Sequence, residues 1–450
     1  MPADARTRFV VVGAGPAGTA AATTAASLGA KVTLIEQSIV GGAAHLWDCI
    51  PSKTMTATAL RIESIRNALK LGLVAQPGTL DPHQLTQRIG QITGDINRSL
   101  VDLLTSQGVE IIYGAGRFDS AREIAVGERT IPFDCALIST GSSPRVPDWA
   151  AVDGERILTT RDAYDLDVIP EHIVIVGSGV TGVEFVHIFE SLGSAVTLVV
   201  SRQQILPHQD PEVAAVLEAD FLERGVKLLI GARAQSVVSN EGKVAVTCDD
   251  GRRVTASHVL LAIGSVPLTG GLGLTEAGVM LTPSSHIVVD QLQRTSVEGI
   301  YAAGDCTGQM PLSSVASMQG KIVARHALAQ TVAPLELSHV AQAVFTEPEI
   351  ASVGLEEAVA AMQGRKIRTT KVPFAANSRA VLQGNPRGFA KVISDPATRV
   401  VLGGTVVGHR ASELIGILAL AVQGELKVQT LVDTLMVHPS LSEALTDAAD

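Results

Sequence analysis

The chain has 450 residues, more than one hydrophobic core accommodates, so roughly two to four domains are expected. Hydrophobic residues make up 46% and charged residues 18%, which excludes a disordered chain. A net charge of −10 with only 3% aromatics argues against nucleic acid as a partner, because phosphate binding needs clustered Lys and Arg.

In chain order, FVVVGAGPAGTAAATTAASLGAKVTLIE comes first, Phe9 to Glu36. It reads as an apolar strand, a GxGxxG turn (Gly13, Gly15 and Gly18, with Pro16 and Ala17 between), an Ala-rich helix and a second strand ending at Glu36. The chain enters this strand almost at once, which leaves no room for a signal peptide. No apolar run approaches the roughly 18 residues of a membrane span. A cytoplasmic protein without membrane insertion is the expectation.

The stretch GGAAHLWDCIPSK, Gly41 to Lys53, resembles a redox site with one piece missing. Cys49 lies four residues before Lys53, but Ala44 stands where a second cysteine would complete CxxxxC. The other cysteines, Cys135, Cys248 and Cys306, are far apart and match no zinc spacing, so no metal is expected.

A second copy of the first motif follows, IVIVGSGVTGVEFVHIFESLGSAVTLVV, Ile173 to Val200. Gly177, Gly179 and Gly182 frame Val180 and Thr181. One GxGxxG is weak evidence; two in the same strand–turn–helix context are strong evidence for dinucleotide binding, against a pair of turns that bind nothing. The copies differ where the second strand ends. Glu36 suits a free ribose, whose hydroxyls a carboxylate accepts. Copy two has Val200 instead, and then Arg202, which either reaches a 2′-phosphate or is a solvated surface charge. Copy two therefore leans towards NADP(H).

CALISTGSSPRVP (Cys135 to Pro147) and HVLLAIGSVPLTG (His258 to Gly270) are each a buried strand broken by glycine and proline, as where a chain leaves one domain for the next. GIYAAGDCTG brings Asp305 to the C-terminal end of a short strand, where open α/β sheets bind ligands. After about Pro334, alternating strands followed by helices read as an α+β domain.

Together GAGPAG, CIPSK, STGS, GSGVTGVEF, AIGSVP, YAAGDC, FTEPEIASVG, NSRA and HPSLSE, in this order from Arg8 to Glu443, resemble the pyridine nucleotide-disulfide oxidoreductases. The resemblance implies an α/β protein with two three-layer Rossmann-like domains and a C-terminal α+β dimerisation domain. Residues 1–148 and 269–334 would bind FAD, 149–268 would bind NADPH or NADH, and 335–450 would form a homodimer. It places Lys53 beside the flavin N5, with Glu184 paired to it near the nicotinamide and Cys49 as the thiol nearest the flavin. Asp305 would hold the flavin's ribityl chain. Gly42, Gly116, Thr140, Gly141, Gly264, Leu312 and Ser313 would join the two glycine motifs, Glu36 and Arg202 in holding cofactors. His438, oriented by Glu443, would be an acid–base group reaching the partner's active site; without the resemblance it reads as a surface histidine.

Ala44 departs from the family. Disulfide exchange needs an attacking thiolate and a resolving thiol, and alanine is neither. GGAA in this place is similar to actinobacterial LpdA-type NAD(P)H:quinone reductases, whereas the retained His438–Glu443 pair resembles the disulfide-reducing members. The leading expectation is an enzyme that takes hydride from NAD(P)H and passes electrons from FAD straight to a quinone or similar small acceptor. The alternatives are a single-cysteine enzyme using Cys49 on peroxides or small disulfides, and a non-catalytic flavin-binding sensor.

Overall fold

A computed structural model describes residues 6–74, 80–240 and 242–450. The chain divides into two units.

The first unit comprises Met1–Ser52, Gln84–Arg145 and Gly264–Leu335. Its centre is a parallel sheet of five strands in the order Ile300–Ala302, Cys135–Ile138, β1 (Arg8–Val12), β2 (Lys31–Glu36) and Glu110–Tyr113. Both faces are covered, which is why β1 and β2 are continuous apolar runs rather than alternating ones. Phe9, Val11 and Leu34 pack on one side, Val10, Val12 and Ile35 on the other. The helix α1 (Pro16–Ser27) presents Ala17, Ala21 and Ala25 to the core. These small side chains admit a second helix, Ser313–Ala327, so closely that a side chain on its Gly320 would overlap the Ala17 carbonyl. A three-stranded antiparallel sheet (Gly116–Ser120, Glu123–Val126, Arg129–Pro132) and the pair Ser142–Pro144 with Ser265–Pro267 complete the unit.

The second unit comprises Lys53–His83, Val146–Ile263 and Glu336–Asp450. It repeats the parallel pattern in the order Lys227–Ile230, Ala195–Val200, His172–Val176, His258–Leu261 and Ile157–Thr159. An antiparallel sheet of three strands, Ala234–Asn240, Lys243–Cys248 and Arg253–Ala256, is inserted in sequence between Lys227–Ile230 and His258–Leu261. The last part of the chain forms a five-stranded antiparallel sheet, Gln342–Val344, Glu349–Gly354, Val401–Gly408, Phe389–Ser394 and Arg368–Pro373. Ile415 and Leu418 of the helix Ala411–Gln423, and Leu445 of Glu443–Ala449, close its core. Within this sheet Lys391 is fully buried and bound by Asp210, Glu212 and Glu357 at 2.8, 2.7 and 2.9 Å. Burial opposes its charge, but the three carboxylates outweigh it and hold the ammonium above its ordinary pKa.

Among the described residues no helix is long and apolar enough to cross a membrane.

Candidate active site

The two glycine turns are built alike. Gly13 and Gly177 have φ of +98° and +113°, conformations that a side chain disfavours. A β-carbon on Gly13 would also lie 2.5 Å from the Ser139 carbonyl oxygen, and one on Gly177 would overlap that of Ala262. Gly18 and Gly182 sit in the first helical turns, where a β-carbon would overlap the carbonyls of Gly13 and Gly177. The protein itself demands those four glycines. Gly15 and Gly179 are different: their φ values, −69° and −73°, suit any residue. A β-carbon on Gly179 would meet nothing within 4 Å, and one on Gly15 only the Ser139 oxygen at 4.0 Å. What these two glycines keep clear is space outside the protein, at the N-terminus of a helix where backbone N–H groups attract a pyrophosphate. The residues present therefore fit a dinucleotide at each turn.

The remaining predicted contacts of the first unit cluster near its turn. Glu36 is 8% exposed, and its carboxylate accepts the N–H of Ala14 at 2.7 Å and that of Ser38 at 2.8 Å. Each oxygen keeps a further lone pair for a ribose hydroxyl. A β-carbon on Gly42 would press within 2.6 Å of Gly15, while Gly141 and Gly264 border open space. Ser142 donates its hydroxyl to Asp305 at 2.8 Å, a partner the sequence did not suggest. Thr140 donates its own to the Leu268 carbonyl at 2.7 Å. Gly116 has a packing reason for its missing side chain, since a β-carbon would crowd Val12 and Ile35 at 3.2 and 3.3 Å. Leu312 is the extended residue before the helix that begins at Ser313.

Ala44 to Asp48 form a π-helical turn that leads directly into α2 (Cys49–Arg66). The Cys49 N–H bonds to the Ala44 carbonyl, five residues back, so the wide turn brings position 44 above position 49. Burial pushes the His45 imidazole below its ordinary pKa and favours the neutral ring. Cys49 is half-buried, and Lys53 follows one turn later on the same helix face.

The other three thiols are shielded. Cys306 is fully buried, with its sulfur 3.3 Å from the Ala303 carbonyl and 3.6 Å from that of Ile138, and burial pushes its thiol up to about 12. Burial likewise raises Cys135 and Cys248. Thiolate is the nucleophile, so all three are suppressed. Among the described residues no cluster of His, Cys, Asp and Glu could hold a metal ion.

Within the second unit Lys53 meets Glu184. The Lys53 Nζ donates to Glu184 Oε2 at 2.7 Å, with side-chain exposures of 32% and 7%. Glu184 belongs to α3 (Val180–Ser191), the helix that follows the second glycine turn, and Gly179, Val180 and Thr181 lie exposed at its start. Phe345 completes the arrangement and was not foreseen. Its N–H donates to Glu184 Oε1 at 3.0 Å, and its ring centroid is 4.6 Å from the Lys53 ammonium. Val200 is fully buried at its strand end, while Arg202 is exposed two residues on. His438 Nδ1 lies 2.8 Å from Glu443 Oε1, with 74% of the His438 side chain in solvent.

Comparison with known proteins places this geometry. The sequence profile of the pyridine nucleotide-disulphide oxidoreductases matches residues 7–320, and that of their dimerisation domain residues 340–449. An NAD(P)H dehydrogenase (quinone) of Mycobacterium tuberculosis is 44% identical over 98% of this chain and 93% of its own. A dihydrolipoyl dehydrogenase of Chlamydia muridarum is 35% identical over 98% and 95%. The crystal structure of LpdA from M. tuberculosis superimposes with a TM-score of 0.94 at 43% identity, covering 98% of this chain and 99% of that one. The HOCl-induced flavoprotein disulfide reductase RclA from Escherichia coli gives 0.88 at 26% identity, covering 98% and 99%.

Proposed function

The chain belongs to the pyridine nucleotide-disulfide oxidoreductases, flavoprotein enzymes that use FAD and NADPH or NADH and carry a dimerisation domain, and from that membership we propose that it reduces a quinone-type acceptor directly from the flavin, without a disulfide relay. In this reading residues 1–148 and 269–334 bind FAD, 149–268 bind the nicotinamide nucleotide and 335–450 form the homodimer. The name of the M. tuberculosis relative agrees with a quinone as acceptor.

The observation that carries the reading is Ala44 above Cys49 in the π turn, with the Cys306 thiol sealed in the core. A disulfide relay needs two thiols that reach each other, and Cys49 has no such neighbour in its turn. Bound FAD supplies the chemistry, accepting hydride from the nicotinamide and giving electrons to the acceptor. Lys53 places a positive charge where negative charge gathers on reduction, and Glu184 keeps that ammonium in place. His438, held through Nδ1, offers Nε2 as a proton donor for the reduced acceptor.

The test is turnover of NADPH with a simple benzoquinone by two variants that retain FAD. Cys49→Ser should keep most of the activity. Lys53→Met should lose about a hundredfold, the effect of removing one electrostatic contact worth about 3 kcal/mol in the transition state. Loss of quinone reduction in Cys49→Ser would sink the direct-transfer reading and leave the single-thiol enzyme in its place.

A further inference from the structure

Phe345 touches both members of the Lys53–Glu184 pair, and by two different parts of itself. Its backbone N–H occupies Glu184 Oε1 at 3.0 Å while Lys53 occupies Oε2 at 2.7 Å, so the carboxylate is gripped on both oxygens. Its ring lies 4.6 Å from the Lys53 ammonium, inside the roughly 6 Å over which an aromatic face attracts a cation. Phe345 is half-buried, and the Lys53 side chain is 32% exposed, so the attraction is only partly screened. Lysine is a flexible stem that loses rotamer freedom when fixed, and one carboxylate does not define its direction. A carboxylate on one side and a ring face on another narrow it further.

The residue is also tied down. Phe345 directly follows the strand Gln342–Val344, whose partner strand Glu349–Gly354 pairs with it in register. Thr346, beside it, is fully buried and donates its hydroxyl to the Pro348 carbonyl at 2.6 Å. The turn that carries the ring is thus fixed by its own hydrogen bonds.

We propose that Phe345 is a positioning residue for electron transfer: its ring face holds the Lys53 ammonium and its N–H holds Glu184, so that the C-terminal sheet sets the charge felt by the flavin. The proposal rests on Lys53 lying beside the flavin, as argued above. A ring that merely fills space would serve as well with its electrons withdrawn; a ring that holds a cation would not.

The experiment replaces Phe345 in the FAD-loaded enzyme by phenylalanines carrying one, two and three ring fluorines, which keep the shape and progressively weaken the negative face. The readouts are the midpoint potential of the bound flavin, by equilibration with reference dyes, and the rate of flavin reduction by NADPH. The potential should become more negative with each fluorine, and the rate should fall by about two- to thirtyfold across the series. Phe345→Tyr should stay within about twofold of the parent, and Phe345→Leu should fall with the trifluoro variant. Lys53→Met serves as the reference. If it lowers the potential while the fluorine series is flat, Phe345 is packing and the proposal is wrong. If Lys53→Met leaves the potential unchanged, Lys53 does not act on the flavin, and the proposal falls together with that part of the proposed function.

Discussion

The imidazole of His438 is fixed by Glu443 at 2.8 Å although three quarters of its side chain is open to solvent. Glu443 is itself held, because its second oxygen accepts the Ser440 N–H at 2.8 Å. That N–H first, and His438 second, keep the carboxyl below its ordinary pKa. A charged acceptor on Nδ1 fixes the tautomer and aims Nε2 outward. His438→Ala is expected to reduce kcat about tenfold, less than the loss of an indispensable acid, because water also protonates a reduced quinone. Glu443→Gln should remove the charge while its single amide oxygen keeps one of the two bonds, and move the alkaline limb of the kcat profile, where the donor loses its proton, to lower pH. An unmoved profile in both variants would show that the pair takes no part in turnover.

The π turn makes a second outcome sharp. With positions 44 and 49 joined through a five-residue hydrogen bond, Ala44→Cys should place a thiol over Cys49, and the pair should be oxidised by dissolved oxygen to a disulfide. Thiol titration of the denatured, unreduced variant should then find one thiol fewer than the parent's four, not one more. Two-electron reduction of this variant should give the red thiolate–flavin absorption, which the parent should lack. The parent should also turn over oxidised lipoamide and glutathione negligibly.

His187 carries a stability prediction. It is fully buried, takes a hydrogen bond from Arg224 on Nδ1 at 3.1 Å, and burial pushes its pKa down to about 3. In the unfolded chain the ring binds a proton below about 6.5. Between those values the unfolded state holds more protons, so stability falls on acidification, by about 1.4 kcal/mol per pH unit at full slope, and the whole penalty is reached below about pH 3. His187→Gln, whose amide oxygen also accepts from Arg224, should flatten chemical unfolding free energies between pH 6 and 4. An unchanged slope would assign the acid limb to other groups.

Arg202 decides nucleotide choice in the proposed reading. It is exposed beyond Val200, where the first unit has Glu36. Arg202→Ala should raise the KM for NADPH about tenfold and leave that for NADH within about twofold, the pattern of one lost contact to a 2′-phosphate. Equal changes for both nucleotides would show a general surface charge.

The exposed apolar side chains next to His438 bear on assembly. Leu435 is 97% and Val437 78% exposed, an unusual cost for two neighbours in one strap unless a second copy covers them. Leu435→Asp should shift sedimentation from dimer towards monomer and reduce turnover in proportion. A fully active monomer would contradict a shared site.

The two dinucleotide folds were legible because their signals are local. Gly18 is dictated by the Gly13 carbonyl within one strand–turn–helix unit and Gly13 by its own positive φ, and the apolar runs Phe9–Val12 and Ile173–Val176 by burial on both sheet faces. Lys53, Glu184 and His438 were reachable only through motif resemblance, since no spacing brings position 53 to position 184. Phe345 was hidden for the same reason: its neighbours are about 160 and 290 residues away, and an aromatic after a strand normally signals packing. The suppression of Cys306 was equally invisible, because YAAGDC does not say which way the sulfur turns. Nothing in the strand GFAKVIS shows that Lys391 is fully buried among three carboxylates supplied from elsewhere in the chain.

In the proposed reading Gly15 and Gly179 let each nucleotide be excluded on its own. Neither is needed for the protein's own packing, since a methyl group there meets no neighbour closer than 4.0 Å and the backbone angles are ordinary. In the proposed reading a methyl at position 15 trespasses only on the flavin nucleotide, and one at position 179 only on the nicotinamide nucleotide. Gly15→Ala would stop both half-reactions, because the flavin serves both, whereas Gly179→Ala would close only the donor's entry in a chain that folds as before. Gly179→Ala would be a yellow protein deaf to NADPH yet still reducible by dithionite, and able to hand those electrons on. Such a protein isolates the outgoing half of the reaction, where the identity of the natural acceptor is decided.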